Sequence, residues 1–510
     1  MVKSLLYFAH RDAQRSHVVI LLASGALAVV FVLLLNAGWP ALLEPLELWS
    51  IDLRFRLRPL LPISSQPFQE KSDRLVTIDY DDRAARQYGL GRWPWDRRVH
   101  AHVIDILKKA GAKVVMVDLL FEHEAYDPSE DRLLAEATHR AGMVIYPMAL
   151  RPVREQDSSE SVLFTAARHL LHAEVTGVGE LPGGSDVTLP LPALAAAAGG
   201  LGHIQRTSDP QGGLRRLPLL YAVKGGFVPA LSFAAALHLL EVDPVTLRIE
   251  RGQAIRFKTR HGDEITIPID RDGRTWINYA GPWGTRFVHY PYSWMLDQLR
   301  TPEGKAHLLE RFKDRSVLVS NLTTGSGDRV ATPFEPDFPT SEVALHVLNM
   351  LASRQFLRNA TAMEAALMLI VPVLLVTGSA LMGGPTVMIP TLGIVLATFL
   401  LILQTAFNRG VILPAVNTPL ALIIAVGLLL IARFFIVDRE RIRFQTVLGA
   451  CLPPQTIQII CDHPDRIPSL LAGHSRELTV LFADIQGFSG FCKRAGALEF
   501  GGCCATTSPR

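Results

Sequence analysis

The chain has 510 residues, 51 Lys and Arg against 48 Asp and Glu, and a net charge of +3. That near balance argues against a nucleic-acid binder, which carries a basic stripe or patch. Apolar residues make up 49% with the 38 glycines left uncounted, and the excess sits in long charge-free stretches, the pattern of a membrane protein with a polar domain attached. Length allows about three domains of roughly 150 residues. The five cysteines are Cys451, Cys461, Cys492, Cys503 and Cys504. With none before residue 451, a domain outside the cytoplasm would be held by its core and not by disulfides.

After a tail at residues 1–17, Val18–Leu35 carries no charge. About 20 apolar residues cross a bilayer core, whereas the core of a cleaved signal peptide is about 7–15. An uncleaved span over 18–36 is therefore expected. Ala365–Asn408 holds 44 residues without Asp, Glu, Lys or Arg and is divided by Gly383-Gly384-Pro385. It reads as two spans, 365–383 and 386–407, and a third charge-free run predicts another over 411–432. Lys3, Arg11 and Arg15 flank the first span, and Arg433, Arg439, Arg441 and Arg443 follow the last. Cytoplasmic flanks carry the excess of Lys and Arg. Four crossings then place both termini in the cytoplasm and residues 37–360 outside, in a multi-pass protein of the inner (plasma) membrane.

Within 37–360, RLVTIDY, a helix over 96–110, KVVMVDLLF, a helix over 131–140 and MVIYPMAL alternate as strands and helices. Val99, Val103, Ile106, Leu107 and Ala110 share one helical face. That alternation predicts an α/β domain with a mixed, largely parallel sheet and right-handed crossovers. LRRLPLLYAV leads through Lys224-Gly225-Gly226 to a helix over 229–241; residues 245–280 alternate as strands with turns at Gly252, Gly262 and Gly273; SVLVSNL is a further buried strand.

Asp79 and Asp118 fall at the carboxyl ends of consecutive predicted strands, where open parallel sheets bind ligands. Asp82, Arg92, Trp93, Trp95 and Asp328 complete a candidate ligand site for an unknown extracytoplasmic molecule. The alternative is structural: strand-end Asp residues cap the next turn or helix, and RWPWDR can form a packed aromatic corner.

IDYDD followed by GRWPWDRRVHAHVIDILKKAGAKVVMVDLLFEHE resembles the CHASE2 extracytoplasmic sensor domain. GHIQRTSDPQGGLRRLPLL, INYAGPWGT and KDRSVLVSNLTTGSGDRVATPF fit the same pattern in the same order. The resemblance covers most of residues 40–355 and implies a sensor after one span, then about three spans (361–433), then a cytoplasmic signalling domain. Pro339-Thr340-Ser341-Glu342 departs from the Gly-Val-Glu-Val-His-like stretch of that family, so no histidine-dependent contact is expected there.

Beyond the last span, Phe444, Val447, Leu448 and Cys451 lie on one face of a short predicted helix within the 434–475 linker, stopped by Pro453-Pro454. VLFADIQGFSGF, in the segment 476–510, is similar to the first strand of class III adenylate and guanylate cyclase domains, an α+β fold. The resemblance implies that Asp484 binds metal, joined by the carbonyl of Ile485. It also implies that Gly487 and Phe488 form the turn nearest the triphosphate, and that two Mg2+ or Mn2+ ions serve ATP in a homodimer. The family's second metal aspartate, purine-selecting residues and transition-state Asn and Arg have no counterparts here. A truncated, inactive catalytic start is expected. The alternative is a non-enzymatic receptor that binds an outer ligand and docks a partner. No HRD loop, DFG or Gly-rich phosphate loop supports a kinase.

Overall fold

A computed structural model describes residues 2–60, 73–88, 95–151, 167–184, 186–323, 328–434 and Thr479. Two compact units divide the chain, Met1–Arg433 and Phe434–Arg510. In the second, only Phe434 and Thr479 are described, so the expected linker helix and the VLFADIQGFSGF strand lie outside the described residues.

The polar part of the first unit is built on a parallel sheet. Its strands run in the spatial order Val288–Pro291, Leu75–Tyr80, Ser316–Asn321, Val114–Val117, Val144–Arg151 and Gly200–His203. Asp186–Thr188 pairs antiparallel with the end of Val144–Arg151. Leu75–Tyr80 and Val114–Val117 are buried at every residue, because helices cover both faces of a parallel sheet. The expected alternation of strands and helices is present. What the pattern did not show is that Ser316–Asn321 inserts between the first two strands, pairing Leu75 with Ser316 and Ser316 with Val114.

Side-chain alternation along each strand divides the core in two. Val76, Ile78, Tyr80, Val115, Val117, Val317 and Val319 pack under helices Arg97–Ala110, Pro128–Ala141, Pro192–Ala197, Tyr292–Gln298 and Pro302–Phe312. Leu75, Val114, Met116 and Leu318 face helices Pro40–Leu57, Leu231–Leu239 and Thr340–Ser353, together with a smaller sheet. That second sheet runs Glu264–Pro268, Ala254–Thr259, Val242–Arg251, Glu174–Gly177. Local chemistry fixes the helix ends. Asp96 accepts a hydrogen bond from Arg98 N at 2.9 Å, and Gly111 ends the same helix at φ 78°, a conformation glycine adopts without steric cost.

Three helices are long and apolar enough to cross a membrane: Val18–Gly38 (the apolar part of a helix that begins at Val2), Ala362–Gly383 and Pro385–Asn408. The fourth expected span, 411–432, is corrected at its start. Val411–Ile412 forms a short parallel pair with Arg358–Asn359, and the helix starts only at Asn417, leaving 16 residues to Ala432. Pro414 supplies the reason: it withholds an N–H and biases the residue before it away from the helical region. Glu47, from helix Pro40–Leu57, accepts the amide hydrogens of Ala415 and Val416 at 2.9 and 2.8 Å just ahead of the helix.

Candidate sensor site

The site lies at the carboxyl ends of the central strands, on the face of helix Thr340–Ser353. Asp79, one residue from the end of its strand, is nearly buried and accepts three hydrogen bonds. The Thr77 and Ser320 hydroxyls each donate to Oδ1 at 2.6 Å, and His289 Nδ1 meets Oδ2 at 2.7 Å. Parallel register causes this meeting, because Asp79 stands level with Ser320 on one side and Pro291 on the other.

A carboxylate oxygen accepts, so the His289 hydrogen of this bond sits on Nδ1 and Nε2 turns toward Glu342. Nε2 lies 3.6 Å from Glu342 Oε2. Glu342 sits in the first turn of helix Thr340–Ser353 and also receives Gly284 N at 3.3 Å. Burial pushes its carboxyl up to about 7, against the opposing pull of His289 and the Gly284 amide. One turn on, His346 Nε2 is 4.0 Å from Glu342 Oε1, while His346 Nδ1 accepts the Ala280 amide at 3.1 Å. Burial lowers His346 to about 3, keeping it neutral. The result is a carboxylate–imidazole–carboxylate row, Asp79–His289–Glu342, hydrogen-bonded at its Asp79 end and separated by 3.6 Å at its Glu342 end. His289 is the member that reaches the surface, beside the exposed Trp283 at 6.3 Å between ring centres.

Asp118 follows its strand and donates its amide to Val319 O at 2.8 Å. Its carboxylate lies 3.9 Å from Arg206, whose guanidinium also pairs with Asp328 at 3.2 Å. Burial raises the Asp118 carboxyl, opposed by Arg206. A cavity of about 30 Å³, room for about one water, is lined by Asp118, His203, Arg206, Ser232 and Thr340 among others.

Of the sequence-predicted residues, Asp118 and Asp328 meet through Arg206, and Asp79 joins the histidine chain. Trp95 is not brought to them. It packs on the opposite face of the sheet against Tyr80 at 4.6 Å and Tyr292 at 5.5 Å, because Tyr80 follows Asp79 and points the other way. Asp82 opens the short helix Asp82–Gln87, while the neighbouring Asp81 receives both N and Oγ of Ser293. Arg92 and Trp93 lie outside the described residues, as do Asp484, Ile485, Gly487 and Phe488. The sequence reading missed Thr77, His289, Ser320, Glu342 and His346. Glu342 and His346 carried a signal, an acid and a histidine four residues apart at a helix start, although a histidine contact there was not expected. His289 carried none. Two larger clefts, about 700 and 710 Å³, lie by Val245 on the second sheet and between helices Pro128–Ala141 and Pro192–Ala197; the predicted residues line neither.

No curated protein and no solved structure matches the chain. The sequence profile of the CHASE2 domain matches residues 26–383, taking in most of the first apolar helix, the whole α/β domain and the second apolar helix. A two-layered core around a parallel sheet, with apolar helices at both ends of the matched region, therefore belongs to a chain of the CHASE2 family, the extracellular sensor domains of signalling proteins.

Proposed function

We propose that this chain is a multi-pass membrane sensor whose CHASE2 domain, outside the cytoplasm, regulates a class III adenylate cyclase that converts ATP to cyclic AMP and pyrophosphate. The sequence feature that carries the reading is VLFADIQGFSGF, which follows the last apolar helix in the chain. A carboxylate at Asp484 and a carbonyl at Ile485 are hard oxygen donors of the kind Mg2+ or Mn2+ takes, and such an ion would supply charge neutralisation at the phosphates. Gly487 and Phe488 would approach the triphosphate, in a homodimer.

The path inward follows the backbone. Glu342 lies in the first turn of the helix that ends at Ser353; Arg358–Asn359 then pairs with Val411–Ile412, and the Ala362 helix starts. Trp276 Nε1 donates to Asn359 Oδ1 at 2.9 Å, tying the sensor to that junction. A change at His289 and Glu342 thus acts on the element that enters the membrane. The test uses membranes carrying the chain with its catalytic region completed in frame by its gene. Cyclic AMP should form from ATP with Mg2+ or Mn2+, and Asp484→Asn should abolish it without altering membrane insertion. Silence of the completed protein, or activity that survives the substitution, sinks the cyclase reading; silence would leave a receptor that docks a partner.

A further inference from the structure

Helix Pro40–Leu57 inverts the usual arrangement of a surface helix. Its charged residues from 40 to 55 are Glu44, Glu47, Asp52 and Arg54, and every one is turned onto protein. Glu44 lies 3.5 Å from Arg216, and Asp52 holds Arg215 with two bonds of 2.7 Å. Glu47 takes the amides of Ala415 and Val416, and Arg54 donates to Leu413 O at 3.0 Å. The opposite side shows Trp39, Leu42, Leu46, Trp49 and Leu53, spaced three and four apart, with Trp39 and Trp49 68% and 64% exposed. Among the described residues nothing covers this stripe.

Its position points to the occupant. Trp39 leaves the helical conformation (φ −137°, ψ 60°), so the chain turns as it leaves the first apolar helix. Glu47 and Arg54 are about 10 Å apart along their helix at about 1.5 Å per residue. Both nevertheless touch the same end of the bundle: residues 413–416, and Gln404, whose side chain donates to Arg54 O at 3.2 Å. Phe55 meets Phe407 there at 4.9 Å. The helix therefore runs across the sensor-side ends of the apolar helices. The first apolar helix, which precedes it in the chain, likewise exposes Leu27, Phe31 and Leu34.

We infer that helix Pro40–Leu57 is an interfacial helix whose Trp39–Leu53 face is seated in the headgroup and acyl boundary of the bilayer, so that the lipid surface is a partner of the sensor. Tryptophan concentrates at that boundary, and a helix with one apolar face lies in its plane. A second copy of the chain is the rival occupant, since spacings of three and four also suit a coiled coil; bulky Trp39 and Trp49 and the in-helix Pro45 favour lipid. The inference rests on the membrane reading above.

Nitroxide labels test it. In the full chain with its five cysteines replaced by serine, single cysteines are placed at positions 27, 42, 46, 49, 53 and 178. The proteins are reconstituted in phosphatidylethanolamine–phosphatidylglycerol vesicles. Oxygen should relax the labels at 42, 46, 49 and 53 several-fold more than a water-soluble nickel chelate does, as at 27, with the reverse at 178. Nickel dominating at 46 and 49 while 27 stays oxygen-accessible overturns the inference and leaves the membrane reading intact. Exclusion of both reagents with spin–spin broadening puts a second copy on the face and also overturns it. Nickel access at 27 brings down the membrane reading, and this inference with it.

Discussion

At Glu342 the energy of a single carboxyl can be followed through pH. Its helix N-terminus favours a negative charge, as do His289 and the Gly284 amide, yet burial outweighs all three and raises it from 4.5 to about 7. The folded protein thus binds more protons than the unfolded chain between about pH 4.5 and 7. Stability from this group is present below that window and is lost as pH rises through it. At about 1.4 kcal/mol per pH unit the whole loss is on the order of 3 kcal/mol. Glu342→Gln keeps the shape and removes the titration, leaving Asp79, His289, Glu335 and His346 in place. The thermal midpoint of the parent protein should therefore fall relative to that of Glu342→Gln between pH 5 and 7.5, and parallel curves would refute the burial argument. Asp79 was legible from the sequence because an acid ends a strand. Its partners His289 and Ser320 were not, since they come from two neighbouring strands whose register no local pattern encodes.

Among the elements, helix Pro40–Leu57 depends most on a motif far away in sequence. Asp209, Arg215 and Arg216 belong to SDPQGGLRR, where Gly212 takes φ 80° so that the turn closes and Asp209 reaches back to both arginines. Arg215 then bridges Asp209 and Asp52, joining the turn to the helix. Removing one partner of a buried ion pair costs about 3–5 kcal/mol. Asp209 would keep Arg216, so Arg215→Ala should cost less, about 2–3 kcal/mol, seen as a lower midpoint of thermal unfolding in detergent. Arg215→Lys should recover part of it, because a single ammonium cannot bind Asp52 through two parallel bonds. A midpoint unchanged by Arg215→Ala would mean that the network is not what holds the helix. The sequence reading passed over residues 40–57, because apolar residues there face two ways and leave no single periodic face.

On the scale of the whole molecule, the last apolar helix sets on which side the chain continues. Sixteen residues rise about 24 Å, short of a hydrocarbon core about 30 Å thick. Its neighbours nevertheless place it along the full bundle. Thr418 donates to Met368 O at 2.9 Å near the sensor end, and the Arg433 guanidinium lies against Gly384 at the far turn, leaving no room for a Cβ there. With Arg433, Arg439, Arg441 and Arg443 beyond it, we expect Phe434 on the cytoplasmic side. A fluorescent protein fused after Phe434 should fluoresce, and alkaline phosphatase at the same point should be inactive. The opposite pair of results would leave the chain with three crossings and the motif around Asp484 on the sensor's side. Composition, the charge-free runs and strand–helix alternation by themselves determined an α/β domain set between apolar segments long enough to cross a membrane, because burial in lipid or in a sheet core is written locally as hydrophobicity and its period. Only the tertiary structure decided that Ser316–Asn321 enters between the first two strands, that His289 stands between Asp79 and Glu342, and that helix Pro40–Leu57 spans the mouths of the apolar helices. Those arrangements arise from pairing and packing between residues tens to hundreds of positions apart, which no window of sequence contains.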